Sequence, residues 1–153
     1  MKRRLFWCCL GRCVLWTVFI FSRSAKSGAE SSAESGAVLA LVRSLFDFLG
    51  LDWLPSEHFL RKLGHFAEYF ILGTLALPSA RLLLRRCAPL LACGYAGAIA
   101  LLDEFLVQSL SGGRGPSFFD VLIDLFGAST AILLLLGLSW IFCGRALELL
   151  HKK

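Results

Sequence analysis

Long apolar runs alternate with short polar connections along this chain. Each run holds about 20 residues, the length at which an α-helix crosses the hydrocarbon core of a bilayer. The runs cover residues 5–22, 59–80, 88–109 and 117–142. We therefore predict an all-α fold, in which a bundle of four transmembrane helices forms a single domain over residues 1–153.

The first apolar run follows a basic start and has two interpretations. It is either a transmembrane helix or the apolar part of a signal peptide, because Ser27-Gly28-Ala29 has the small residues of a cleavage site. Arg12 interrupts the run, which favours the transmembrane helix. The residues themselves leave both interpretations open.

Residues 22–54, between the first two runs, have a mixed composition. Residues 22–36 are rich in Ser, Ala, Gly and Glu, and we expect them to form a loop or a frayed helix end. Residues 37–54 turn apolar again but carry several charges. They predict an amphipathic segment that either lies at the outer membrane interface, with Trp53 as an aromatic anchor, or packs against the bundle.

Composition and charge agree with a membrane protein. Hydrophobic residues make up 57% of the chain, whereas soluble domains contain about 45–50% apolar residues. The formal net charge is +5, but the basic residues stand at the ends of the apolar runs rather than on one polar face. Membrane topology explains that distribution better than nucleic-acid binding does, so no nucleic-acid partner is expected.

The distribution of Lys and Arg also predicts the orientation. With both termini in the cytoplasm, nine basic residues stand at the inner ends of the helices and six in the outer segments. The inner nine are Lys2, Arg3, Arg4, Arg81, Arg85, Arg86, Arg145, Lys152 and Lys153. By the positive-inside rule, we predict a multi-pass plasma-membrane protein with cytoplasmic termini.

Polar residues within the apolar runs are the strongest functional signal. The second run opens with four of them, which share about a third of a helix turn. They are Lys62, His65, Glu68 and Tyr69. An ionisable side chain at membrane depth costs about 2.5 to 3.5 kcal/mol even on lenient insertion scales, so this stripe is expected to face protein or water.

Two further polar clusters lie at the same membrane level in the predicted topology. The third run ends with one cluster and the fourth run begins with the other, so all three clusters meet in the outer leaflet. The predicted pocket therefore takes in Lys62, His65, Glu68, Tyr69, Asp103, Glu104, Gln108, Arg114, Ser117, Asp120 and Asp124.

Several of these residues also have simple structural explanations. Ser117 and Asp120 fit a helix capping box, and Lys62 has the long stem of a residue that reaches the interface. His65 is interpreted either as a structural hydrogen-bonding group or as a functional one. Asp103 and Glu104 are adjacent and would repel if both were charged, so we expect a partner such as Arg114 or a bound ligand.

The order and spacing of these motifs resemble the VanZ-like membrane proteins. The matching pattern is Lys62-x-x-His65-Phe66-x-Glu68-Tyr69-x-x-Leu72-Gly73, then Asp103-Glu104-x-x-x-Gln108, then Arg114-x-x-Ser117-x-x-Asp120-x-x-x-Asp124-x-x-Gly127. The resemblance covers about residues 5–142 and departs from the family pattern at Asp124, where the family more often has Asn. It implies a retained first helix and a bacterial plasma-membrane protein, linked to low-level resistance to the glycopeptide teicoplanin. It implies no particular reaction.

Three functions fit this sequence. In the first, the pocket binds a lipid headgroup, a cell-wall precursor or an amphiphilic antibiotic. In the second, the protein is an intramembrane hydrolase or transferase with His65 as base, oriented by Glu68 or Asp103, and with Arg114 stabilising charge; a metal-dependent form would add carboxylate ligands. In the third, the polar residues only lock the helices together. We expect the first, since no activated Ser or Cys nucleophile is evident. No cofactor and no metal are predicted, and the identity of a protein partner is left open.

Overall fold

The computed structural model describes residues 2–50, 55–111 and 115–151. This part of the chain is helical and contains no strand. The helices are α1 (Lys2–Ser24), α2 (Gly28–Leu49), α3 (Glu57–Leu83), α4 (Ala88–Leu102), which continues as a π-helix (Asp103–Gln108), and α5 (Phe118–His151).

Four helical segments are long and apolar enough to cross a membrane. They are Arg3–Ser24, Glu57–Leu83, Ala88–Gln108 and Phe118–Phe142. The prediction of an all-α chain with four membrane-spanning helices is therefore confirmed, and this is a multi-pass membrane protein. Large apolar side chains such as Leu15, Leu90 and Trp140 are exposed on the outside of the bundle, as expected where lipid is the solvent.

The helix α2 corrects the expectation for residues 22–36. Residues 22–24 end α1 and residues 25–27 form the connecting turn, but residues 28–36 are helical, because α2 begins at Gly28 and runs to Leu49. Ser27 accepts a hydrogen bond from the backbone of Glu30, whose side chain accepts one from the backbone of Ser27, so that a complete capping box starts the helix. Gly50 ends it with φ of 66°, a conformation that glycine adopts without strain. Trp53, the predicted interfacial anchor, lies outside the described residues.

The centre of the bundle is α3, which contacts all four other helices. Polar contacts fix α1 in the bundle: the indole of Trp16 donates to the carbonyl of Glu68 at 2.8 Å, and the hydroxyls of Thr17 and Tyr95 lie 2.8 Å apart. The helix α2 contains no buried residue and lies at the edge of α3. It therefore does not enter the core.

Two glycines bring α3 and α5 into close contact. A Cβ atom on Gly73 would lie 2.6 Å from the carbonyl oxygen of Ala128, and one on Gly127 would collide with the carbonyl group of Phe66. Neither neighbour can move aside, because both are backbone. Small residues at such positions let membrane helices pack with their backbones almost touching. This contact fixes the rotation of α5 against α3, and with it the positions of the polar side chains on both helices.

Candidate functional site

A π-helical turn carries the polar residues at the end of the third span. Asp103, Glu104 and Gln108 are all buried there. In an α-helix, Asp103 and Gln108 would point about 140° apart, whereas a π-helix closes its hydrogen bonds over five residues and brings them together. The amide of Gln108 donates to Asp103 Oδ2 at 3.2 Å and to Glu104 Oε2 at 2.5 Å. One amide therefore supplies donors to both adjacent acids.

The other donors to these two acids come from α1 and from the start of α5. The hydroxyl of Ser24 donates to Asp103 Oδ2 at 2.8 Å. The backbone amide of Ser117 donates to Glu104 Oε1 at 2.6 Å. Hydrogen bonds to carboxylates are among the stronger ones in proteins, so these contacts tie α1, the π-helix and α5 together at one end of the bundle.

The predicted capping box at Ser117 is only half formed. The Ser117 hydroxyl accepts the backbone N–H of Asp120 at 3.4 Å, which is the first half. The backbone N–H of Ser117 bonds to Glu104 instead of Asp120, so the second half is replaced by a contact between helices. Asp120 is then free to pair with the ammonium of Lys62, which also lies 5.1 Å above the ring of Phe119. Lys62 is thus held by α5.

His65 and Asp124 face each other across the contact between α3 and α5. The distance from His65 Nδ1 to Asp124 Oδ1 is 3.4 Å, which is within ion-pair range, but the two groups lack hydrogen-bond geometry. Asp124 is fully buried, and neither of its oxygens has a hydrogen-bond partner. The hydroxyl of the buried Tyr69, one turn further along α3, also has none. This part of the site contains the least satisfied polar groups.

Glu68 faces α1 and α2. Its carboxylate accepts a hydrogen bond from Arg23 Nε at 3.4 Å, and Arg23 Nη1 also donates to Glu34 of α2 at 2.8 Å. Lys26 forms a second ion pair with Glu34. Arg23 therefore connects three helices, and α2 is attached to the bundle by charge.

The acids at the start of α2 have pKa values below their ordinary range. The hydrogen bond from Lys26 lowers the pKa of Glu34, and its attraction to Arg23 lowers it further. The hydrogen bonds within the capping box, led by the one from the Ser27 side chain, lower the pKa of Glu30. Both acids are therefore held in their charged form.

Two neighbouring cavities open at this end of the bundle. One of about 440 Å³ lies between α1, α2 and α3, and one of about 390 Å³ lies beside the start of α5. Arg61 and His65 line both. The first is also lined by Arg23, Glu34 and Glu68, and the second by Glu104, Gln108 and Asp120. Volumes of this size are typical of small-molecule sites, which range from about 300 to 1,000 Å³.

Arg61 is the cation of this site that lacks a carboxylate partner among the described residues. Its guanidinium donates to His58 Nδ1 at 3.3 Å, and it forms no ion pair with an acid in the part of the chain that the structure describes. The site can therefore offer a positive charge to an anionic group.

The structure brings ten of the eleven predicted pocket residues to one end of the bundle, and the eleventh, Arg114, lies outside the described residues. Asp124, rather than Glu68 or Asp103, is the carboxylate that touches His65. Sequence reasoning missed Arg23, Ser24 and Glu34. Arg23 and Ser24 lie in the last turn of the first span, which the predicted topology places on the same side of the membrane as the other polar clusters. That position would have predicted them as members of the pocket.

Comparison with known protein families agrees with this architecture. A family model described as VanZ/LLP1 matches residues 9–142, which include the four spans almost completely and all the residues of the polar end. The chain belongs to the VanZ/LLP1 family. No curated protein and no solved structure matches this VanZ/LLP1 chain.

Proposed function

We propose that this VanZ/LLP1 protein acts in the cell envelope by binding the anionic headgroup of a membrane amphiphile in the cavity between α1, α2 and α3. The single observation that carries the proposal is Arg61, a guanidinium on the wall of two cavities that is not neutralised by a carboxylate in the described structure. An anionic oxygen in either cavity would give it a charge-assisted hydrogen bond.

The rest of the cavity suits an amphiphile. Its polar wall is provided by Arg23, Glu34 and Glu68, and Val38 and Leu60 add apolar surface. The large apolar side chains of α2 are exposed, including Leu41 at 72% and Phe48 at 85%. These features support a position of α2 at the outer membrane interface, where a headgroup and the start of an acyl chain meet the protein together.

The orientation and the chemical class of the ligand belong to the same proposal. We place the polar end on the outer side of a bacterial plasma membrane, with both termini in the cytoplasm, because the basic residues favour that orientation. Phospholipids, lipid-linked wall precursors and the glycopeptide teicoplanin all present anionic groups on an amphiphilic body. They share the chemistry that Arg61 would recognise.

The experiment measures ligand-induced stabilisation of the purified protein in detergent. Phosphatidylglycerol, teicoplanin and the zwitterionic phosphatidylcholine are each added to wild type, to Arg61→Gln and to Arg43→Gln. Arg43 is an exposed residue of α2 that lines neither cavity, so its variant controls for the loss of one charge. A ligand at a hundredfold excess over its Kd stabilises the folded state by about 2.7 kcal/mol.

We expect an anionic ligand to raise the melting temperature of wild type and Arg43→Gln. Arg61→Gln should bind it about 10- to 100-fold more weakly, since a hydrogen bond to a charged group contributes about 1.5 to 3 kcal/mol. Equal stabilisation of all three proteins by the anionic ligand would refute the proposed site. Teicoplanin susceptibility of cells producing the same variants separates the antibiotic from the lipid as the physiological ligand.

A further inference from the structure

We propose that His65, Asp103 and Asp124 form a binding site for a divalent transition-metal ion at the polar end of the bundle. The three residues come from α3, the π-helix and α5, and one ligand atom from each lies within 4.8 Å of the others. Asp103 and Asp124 are wholly buried, and His65 is nearly so, with 12% of its side chain exposed.

The hydrogen-bonding pattern indicates where an ion would bind. Asp103 Oδ2 accepts from Ser24 and from Gln108, whereas Asp103 Oδ1 is buried without a partner. His65 Nδ1 and both oxygens of Asp124 are likewise buried without hydrogen bonds. Each of the three side chains therefore keeps at least one lone-pair atom unused, and one ligand atom of each side chain lies within 4.8 Å of the others.

The energetics of burial favour a cation at this point. A buried carboxylate without hydrogen bonds loses its hydration, and no protein donor replaces the lost water. The uncompensated desolvation costs several kcal/mol of free energy. Lys62 pairs with Asp120 and Arg23 pairs with Glu68, and no Lys or Arg in the described part of the chain forms an ion pair with Asp103 or Asp124. A divalent ion would neutralise both acids at once.

The surroundings also resemble the supporting shell of a metal site. Ser24 and Gln108 hold one oxygen of Asp103 and so orient the other, as outer-shell partners do for metal ligands. The distance of 3.4 Å between His65 Nδ1 and Asp124 Oδ1 is close to the separation of two ligands on one ion, about 3 Å when each bond is about 2.1 Å. Small side-chain movements would complete the geometry.

The ligand types select the class of metal. Imidazole favours first-row transition metals, while carboxylates favour harder ions, so one imidazole and two carboxylates suit Mn²⁺ or Zn²⁺ better than Ca²⁺. Three protein ligands leave coordination positions for water or for a ligand oxygen. This inference does not depend on the proposed headgroup ligand, because it concerns the metal alone.

The test is a titration of the chelator-treated protein in detergent with Mn²⁺, followed by electron paramagnetic resonance of the free ion. We expect one Mn²⁺ per chain, displaced by Zn²⁺, and a spectroscopic coupling between the bound ion and a nitrogen of His65. Asp124→Asn preserves the size of the side chain but removes a charged ligand. It should bind Mn²⁺ at least about tenfold more weakly, the effect that loss of even an outer-shell partner produces.

Asp47→Asn is the matched control, since Asp47 is an exposed acid of α2 away from the cluster, and it should bind as wild type does. If Asp124→Asn fails to fold, the double variant His58→Gln/His151→Gln decides the question, because His65 is then its only histidine and the nitrogen coupling should persist. The proposal is overturned if the wild type binds neither metal, if bound Mn²⁺ shows no nitrogen coupling, or if a folded Asp124→Asn retains full affinity.

Discussion

Replacing Gly127 with alanine tests the contact between α3 and α5 that positions the polar end. The new Cβ would collide with the carbonyl group of Phe66, with the carbonyl carbon at 3.1 Å and the Cα at 3.2 Å. At the sister contact, a Cβ on Gly73 would lie 2.6 Å from the Ala128 oxygen, where ordinary contact begins at 3.4 Å. An alanine at Gly73 would therefore push the two backbones apart by about 0.8 Å, and an alanine at Gly127 would push them apart by more.

The magnitude follows from two opposing effects. Adding a methyl group to a well-packed interface costs about 1–3 kcal/mol. Alanine also gains up to about 1 kcal/mol over glycine in helix propensity. Gly64→Ala is the matched control, because it makes the same substitution in α3 at a position where a Cβ meets nothing within 4 Å. The propensity gain is common to both variants, so the difference between them isolates the packing cost of about 1–3 kcal/mol.

The assay is equilibrium unfolding of both variants in mixed detergent, followed by circular dichroism. Gly127→Ala should also weaken Mn²⁺ binding, since Gly127 lies one turn from Asp124 and Phe66 adjoins His65. If Gly127→Ala proves as stable as Gly64→Ala, then α3 and α5 do not approach this closely and the reasoning fails.

Two further predictions concern polar contacts. The pKa of Glu34 lies below its ordinary value of 4.5, so its stabilising contribution is complete above about pH 4.5 and is lost as the pH falls through the folded-state pKa. The protection factors of the amides at the start of α2, which correct for the pH dependence of intrinsic hydrogen exchange, should therefore fall on acidification, and by less in Glu34→Gln; the same fall in both proteins would contradict the assignment. Gln108→Leu should lower the free energy of unfolding by about 2–4 kcal/mol, because Asp103 and Glu104 each lose a buried donor. Ser109→Ala, a neighbouring exposed position, should change it by less than about 0.5 kcal/mol, and an equal loss in the two variants would count against the Gln108 contacts.

The start of α2 was predictable from local sequence, although the composition of the segment concealed it. The capping box Ser27-x-x-Glu30 marks the start of α2, yet the Ser-rich and Gly-rich composition around it suggested a loop. A cap satisfies the free amides of the first helical turn, which offsets a composition of weak helix formers. The capping motif was therefore a better predictor of the start of α2 than the composition was.

The partners of the polar side chains were not predictable in the same way. His65 and Glu68 share a face of α3, but one contacts Asp124 and the other contacts Arg23. The π-helix moved Gln108 toward Asp103, which α-helical spacing places far from it. Hydrogen-bond partners depend on the rotation of neighbouring helices, and a pattern within one helix carries no information about that rotation.

The sequence by itself determined the four spans and the membrane level of the polar clusters, because the hydrocarbon core of a bilayer requires about 20 apolar residues for each crossing and makes every polar exception costly. Tertiary structure decided which polar groups meet. Backbone contact at Gly73 and Gly127 holds α5 against α3, and the π-helix adds Asp103, so that one ligand atom each of His65, Asp103 and Asp124 lies within 4.8 Å of the others. The physical reason is that insertion in the bilayer depends on the composition of each segment, whereas the meeting of polar side chains from different helices depends on how the segments pack.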